Sequence, residues 1–172
     1  MTDVLDGRIG EAWAGERPNG CHVNLVVGRR GSATAAAATL ALASPRPAHV
    51  PFLAALQDGR MIHPPTIVVN KTPIENDRVA KLTWGAVQVG VAQGVLDAVH
   101  EGVLAVEEAE ELVLLVAVWI DAAAEEETAV RRASRTAMRA AVADALAPPS
   151  GEEIRAVAAR REEPRSAYYG GE

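Results

Sequence analysis

The sequence is poor in several things, and each shortage excludes something. It has one cysteine in 172 residues, so no intramolecular disulfide can form, as expected of a cytoplasmic protein. Aromatic residues make up 3% of the chain. A core must therefore be assembled from alanine, valine, leucine and isoleucine, and close packing or oligomerisation has to supply the burial that large rings would give. Positive charge is not in excess: the formal net charge is −6. An electrostatic grip on nucleic acid or on an anionic membrane is not expected. Long apolar runs are missing too. The longest, Leu112 to Ile120, falls far short of the about 20 residues that span a bilayer and reads as a buried strand. The acidic N-terminus has no apolar stretch of the kind a secretory signal needs.

Among what remains, the segment Cys21-His22-Val23-Asn24-Leu25-Val26-Val27 is the most informative. Side chains alternate along a strand, so Cys21, Val23, Leu25 and Val27 share one face and His22, Asn24 and Val26 the other. Histidine is the side chain that titrates near neutral pH unaided, which makes His22 a candidate proton donor. Cys21, on the apolar face, reads as a small hydrophobe rather than a nucleophile.

The surrounding pattern predicts a short strand near Ile9 to Ala14, the strand 21–27, and a tight turn at Gly28-Arg29-Arg30-Gly31. Ser32 then caps an alanine-rich helix reaching about Ala43. Strands are expected at 50–56 and 66–71. Asn76 or Asp77 caps a helix with the apolar stripe Val79, Leu82, Ala86, Val89, Leu96 and Val99. Gly85, Gly90 and Gly94 inside it imply close approach of another backbone or of a ligand, since each glycine costs roughly 1 kcal/mol relative to alanine. A strand over 110–120 and a helix over 125–146 come next. From Pro148 the composition predicts a polar tail with one or two helical turns near 152–161. The chain thus divides into a domain over 1–147 and a tail over 148–172. The element order predicts an α/β (α+β) fold, with helices packed on one face of a mostly antiparallel or mixed sheet.

Metal chemistry finds no support in the spacing of His22, His49, His63 and His100. The Gly28–Ser32 turn is a weak candidate for holding an anion at a helix N-terminus. Lys71 closes a β-branched strand, and Gln88 lies on the rim of its helix, about 100° from the centre of the apolar stripe.

Several blocks together resemble the formaldehyde-activating enzymes. They are Gly10-Glu11-Ala12, Cys21 to Gly28, Arg30-Gly31-Ser32, Asn70-Lys71, Trp84-Gly85-Ala86-Val87-Gln88, His100-Glu101-Gly102-Val103 and the acidic lead into Leu112 to Ile120. The resemblance runs in order from about residue 9 to 146. It implies a lyase that condenses formaldehyde with tetrahydromethanopterin to methylene-tetrahydromethanopterin and water, with no metal. The implied fold resembles the second domain of ribosomal protein S5, and the implied assembly is a homopentamer with pterin clefts between subunits. The family's proton-donating histidine falls on His22, and its pterin-contacting positions fall on Asn24, Leu53, Lys71, Pro73 and Gln88. Two of these depart from the family, which has aspartate in place of Asn24 and threonine in place of Pro73. Those departures, with the run Arg131-Arg132-Ala133-Ser134-Arg135, leave two alternatives. One is a different amine–carbonyl condensation or dehydration; the other is a pterin-binding protein without turnover.

Overall fold

A computed structural model describes residues 5–164. In chain order the elements begin with β1 (Ile9–Ala14), β2 (Cys21–Arg29), α1 (Ala33–Leu42) and β3 (Phe52–Leu53). A small hairpin, β4 (Ala55–Gln57) and β5 (Arg60–Met61), precedes β6 (Thr66–Asn70). One continuous helical segment contains α2 (Asp77–Lys81), a π-helical stretch (Leu82–Val87) and α3 (Gln88–His100). The chain then forms α4 (Val106–Glu111), β7 (Leu112–Ile120), α5 (Glu127–Leu146) and α6 (Gly151–Ala159).

Five strands make one mixed sheet in the order β1-β2-β7-β6-β3. β2 lies antiparallel to both β1 and β7, and β6 lies parallel to β7. The alternation read from the sequence holds. Cys21, Val23, Leu25 and Val27 are buried, as are Leu112, Leu114, Val116, Val118 and Ile120 on β7. This face packs against Val91, Ala92 and Val95 of α3 and Val130, Ala137, Met138 and Ala141 of α5. Each fully buried valine or leucine contributes about 1.5–3 kcal/mol, so small side chains suffice where many are sealed together.

Small size is what lets the layers close. A Cβ on Gly90 or Gly94 would stand 2.5 Å from the backbone oxygens of Arg131 and Arg135 on α5. Gly90 and Gly94 therefore mark a backbone contact, not a ligand contact, whereas Gly85 has no backbone neighbour of this kind. Gly10 brings β1 against α5 in the same way.

The structure corrects the sequence reading at several points. Only part of the helical layer lies on one face. Gly28 sits on the opposite side of β2 from Leu25, and a Cβ there would meet the backbone of Ala35, so α1 covers the other face of the sheet at that end. The apolar stripe of the 77–100 segment also changes phase. It continues through Val91, Val95 and Ala98, while Val89, Leu96 and Val99 are only half-buried. The π-helical turn is the cause: it takes up an extra residue and rotates the helix beyond it. The strand expected over 50–56 is divided at buried Ala54 into β3 and β4. The acidic residues before β7 form α4, so the strand starts at Leu112. α6 is longer than the one or two turns expected and carries a Ser150–Glu153 capping box. The Ser32 and Asn76 caps form as predicted, with side-chain oxygens accepting from Ala35 N and Val79 N at 3.0 Å.

The α3–α5 contact generates a test. Gly94→Ala should lower the thermal midpoint, by an amount equivalent to roughly 1–3 kcal/mol of overpacking. Gly85→Ala meets nothing nearer than Glu127 Oε1 at 3.7 Å and should leave the midpoint unchanged or raise it. Melting curves of the two variants decide this.

Candidate functional site

One sheet face is sealed by α3 and α5; the other is only partly covered by α1. His22 and Asn24 project from this second face, as does Lys71, which follows Val69 by two residues at the end of β6. Two pairings bring them together across 47 and 49 positions of sequence: β2 with β7, and β7 with β6. The Lys71 backbone N–H donates to Val118 O at 2.7 Å and continues the ladder.

The Lys71 ammonium stands 3.1 Å from His22 Nδ1 and donates to Asn24 Oδ1. On the far side of the ring, His22 Nε2 lies 2.5 Å from Glu11 Oε1. Glu11 reaches this point because β1 pairs with β2 in a register that sets it opposite Asn24 and sets Trp13 opposite His22. The Trp13 ring lies 6.3 Å from the imidazole and 5.6 Å from Trp119, which is opposite His22 on β7. Two of the three tryptophans in an aromatic-poor chain thus flank the histidine. Burial holds the Lys71 amine below its ordinary range, and the charge of Glu11 is among the influences that pull it back up. The His22 side chain keeps 27% of its exposure, enough to meet a ligand without being fully solvated.

The other positions implied by the family resemblance lie apart. Leu53 is on β3 and aligns through Ile67 and Leu115 with Val26. Three strand spacings and four residues separate it from His22, roughly 20 Å at about 4.8 Å per strand and 3.3 Å per residue. Gln88 joins Leu53, donating through Nε2 to its carbonyl oxygen at 3.1 Å. His22, Asn24 and Lys71 therefore form one group, and Leu53 and Gln88 another. Pro73 is exposed in the loop after β6, whereas neighbouring Thr72 is buried and turned inward, its hydroxyl on Ile120 O. Thr72 thus offers no hydroxyl at the surface to replace the one absent from Pro73.

Three other features of the sequence are absorbed structurally. Cys21 is sealed in the core, and burial pushes its thiol up to about 12. The Gly28–Ser32 turn has its anion within the chain: Asp6 Oδ1 accepts from Arg29 N at 2.9 Å and Ser32 Oγ at 2.7 Å. Arg131 and Arg135 do not reach the histidine. They bind Gln93 and Asp97 on α3, and Arg139 binds Glu101, forming a ladder behind the sheet. Among the described residues no group of three His, Cys, Asp or Glu could hold a metal ion, and no helix is long and apolar enough to cross a membrane. A cleft of about 420 Å³ lies between the 15–19 loop and α5, with Arg17, Asn19 and Arg132 among its lining. The convergent polar groups lie elsewhere, around His22.

Glu11, Trp13 and Trp119 are the neighbours of His22 in this candidate site that sequence reasoning missed. Glu11 appeared only within a motif, and nothing in the spacing of residues 11 and 22 reveals that a hairpin register brings them into contact.

The depressed Lys71 amine makes stability depend on pH in a definite direction. A lysine whose folded pKa lies below its unfolded value weakens the fold while it is charged, and that penalty is relieved as pH rises towards the unfolded value near 10.5. The thermal midpoint of the natural protein should therefore gain on that of Lys71→Met as pH rises from neutral to about 10. Paired melts across that range would show a constant difference if the amine is not desolvated.

Residues 9–165 match the family model for formaldehyde-activating enzyme. The 5,6,7,8-tetrahydromethanopterin hydro-lyase of Methanosarcina barkeri is 37% identical over 146 residues, covering 85% of this chain and 82% of that enzyme. A bifunctional enzyme Fae/Hps of Methanothrix thermoacetophila is 33% identical over 138 residues, and one of Archaeoglobus fulgidus is 37% identical over 116. The aligned regions cover 35% and 29% of those two longer proteins. With most of its length aligned and the histidine-centred face assembled from the aligned strands, the chain belongs to the formaldehyde-activating enzyme family.

Proposed function

We propose that this protein is a lyase that condenses formaldehyde with tetrahydromethanopterin, giving methylene-tetrahydromethanopterin and water, with His22 as the general acid. The observation that carries this reading, beside the family match, is the meeting of His22, Asn24 and Lys71 within hydrogen-bond reach on an accessible sheet face. A secondary amine of the pterin adds to formaldehyde to form a carbinolamine. Its hydroxyl is a poor leaving group until it is protonated. Proton transfer from the imidazolium lets the C–O bond break with loss of water and leaves an iminium. The second pterin amine closes on that carbon and returns a proton to the neutral imidazole. A positioned acid supplies about 10²–10⁴-fold, and holding both reactants together away from bulk water supplies more. Lys71 and Asn24 would orient the pterin beside the ring, with no metal required of the protein.

Leu53, Gln88 and Pro73 enter this reading through the assembly. Roughly 20 Å of sheet separates the Leu53–Gln88 pair from His22 within one protomer, so a single pterin site uses both groups only if neighbouring subunits contribute them. The half-buried apolar face bearing Val26, Leu115, Ala117 and Trp119 supports association there. We read the assembly as a homopentamer with pterin clefts between subunits, working in the cytoplasm, and the protomer as a member of the ribosomal protein S5 domain 2-like folds. The domain over 1–147 would carry this chemistry and the segment from 148 would lie outside it. For the alternative condensation, Arg131 and Arg135 are occupied by α3, which leaves Asn24, Pro73 and Arg132 as its support.

His22→Ala should reduce methylene-tetrahydromethanopterin formation to the spontaneous rate while leaving pterin affinity largely intact; an undiminished rate would remove His22 from the mechanism, and intact binding with no acceleration in the natural protein would make it a non-catalytic pterin binder. Mixed oligomers test the shared cleft. Subunits carrying His22→Ala and subunits carrying Gln88→Ala, inactive or impaired separately, should recover part of the activity when co-assembled, because some clefts then hold neither substitution. No recovery would place both groups within one protomer's site.

A further inference from the structure

Both ring nitrogens of His22 are engaged, and the two partners differ in kind. A carboxylate only accepts, so the Glu11 contact at 2.5 Å requires the proton on Nε2. An ammonium only donates, so the Lys71 contact at 3.1 Å leaves Nδ1 as acceptor in the neutral ring. Together these contacts select the Nε2–H tautomer and make Nδ1 the nitrogen free to change its protonation. Asn24 sits beside the ring on the same strand face, but its amide is neutral and its oxygen is committed to Lys71. The carboxylate in contact with His22 therefore comes from β1.

Glu11 is also held in place. Its backbone N–H donates to Asp144 Oδ2 on α5 at 2.9 Å, and a Cβ at the preceding Gly10 would stand 2.0 Å from Ala141 O. These contacts press the edge strand against α5 and fix the point from which the Glu11 side chain reaches the imidazole. With 60% of that side chain exposed, its contact with His22 is not a requirement of core packing.

We infer that Glu11 is a positioning residue for His22, a role that rests on the reaction proposed for this face. It orients the ring and stabilises the imidazolium by accepting from Nε2–H, so that Nδ1–H is the bond that gives its proton to the carbinolamine hydroxyl. The Lys71 ammonium, in contact with the same nitrogen, can reload it. In one turnover the proton on Nδ1 passes to the departing hydroxyl, water leaves, and the proton released when the second amine closes returns to the Lys71–His22 pair. Glu11 acts only through the imidazole and exchanges no proton with either substrate.

Two measurements test this on the full-length protein. Ring ¹⁵N shifts of His22, assigned by comparison with His22→Gln and read at a pH where the ring is neutral, should report Nε2–H in the natural protein. Glu11→Gln should move them towards a mixture of tautomers. Kinetically, Glu11→Gln should lower kcat on the order of tenfold, a part of the about 10²–10⁴-fold that a positioned acid supplies. The KM for tetrahydromethanopterin should stay within about twofold, because an interaction with the acid rather than with the substrate has been removed. An Nδ1–H ring in the natural protein overturns the inference, as does an unchanged kcat or a loss carried in KM. The ¹⁵N measurement needs no substrate. A natural protein with the Nε2–H ring but no rate above the spontaneous condensation would sink the functional reading, and the tautomer role would stand without it.

Discussion

The Lys71 ammonium ties the site together. It is partly withdrawn from water at the end of β6 and finds its partners on β2, at His22 Nδ1 and Asn24 Oδ1. A lysine in that position is uncomfortable unless its donors are accepted, so it draws the ends of two non-adjacent strands into one polar cluster. β7 lies between them with Trp119 in the same row and keeps the spacing. The cluster is therefore a property of the sheet, as rigid as the pairings beneath it, whereas a site made of loops would depend on their order.

Behind that face the elements are packed backbone against backbone. Gly90 and Gly94 let α3 lie against the backbone of α5, and Gly10 lets β1 do the same. The Gln93–Arg131, Asp97–Arg135 and Glu101–Arg139 contacts run along the outside of the helix pair. Such exposed pairs add little individually, and the close backbone approach is what sets the geometry. With the helical layer on one side, the opposite side is left open around His22, and α1 covers only the end near Gly28.

The two groups of site residues give the protomer an incomplete look. The His22–Asn24–Lys71 cluster carries the imidazole and the amine. Gln88, at the start of α3, donates to the carbonyl of Leu53 on the distant edge strand. The apolar surface between them, with Val26, Leu115, Ala117 and Trp119, is half-buried within one protomer, and the association proposed above would cover it further. A chain with few aromatics has particular need of that extra burial.

Much of this was legible in the sequence because it depends on local periodicity. Alternation along 21–27 put Cys21 on the buried face and His22 with Asn24 on the other, and the Ser32 and Asn76 caps could be read from single side chains. Gly90 and Gly94 announced a close neighbour without saying which. The π-helical turn was hidden, since an inserted residue leaves no mark until the phase of burial is compared on either side of it. Glu11 was hidden for a different reason. Its contact with His22 depends on the register of β1 against β2, and register is set by which faces the whole sheet can bury. The sequence by itself determined which residues alternate, where helices begin and which side chains can exchange a proton. Only the tertiary structure decided that Glu11, His22, Asn24 and Lys71 meet while Leu53 and Gln88 stay apart, because strand pairing brings distant residues together by the energy of the assembled sheet and not by any local preference.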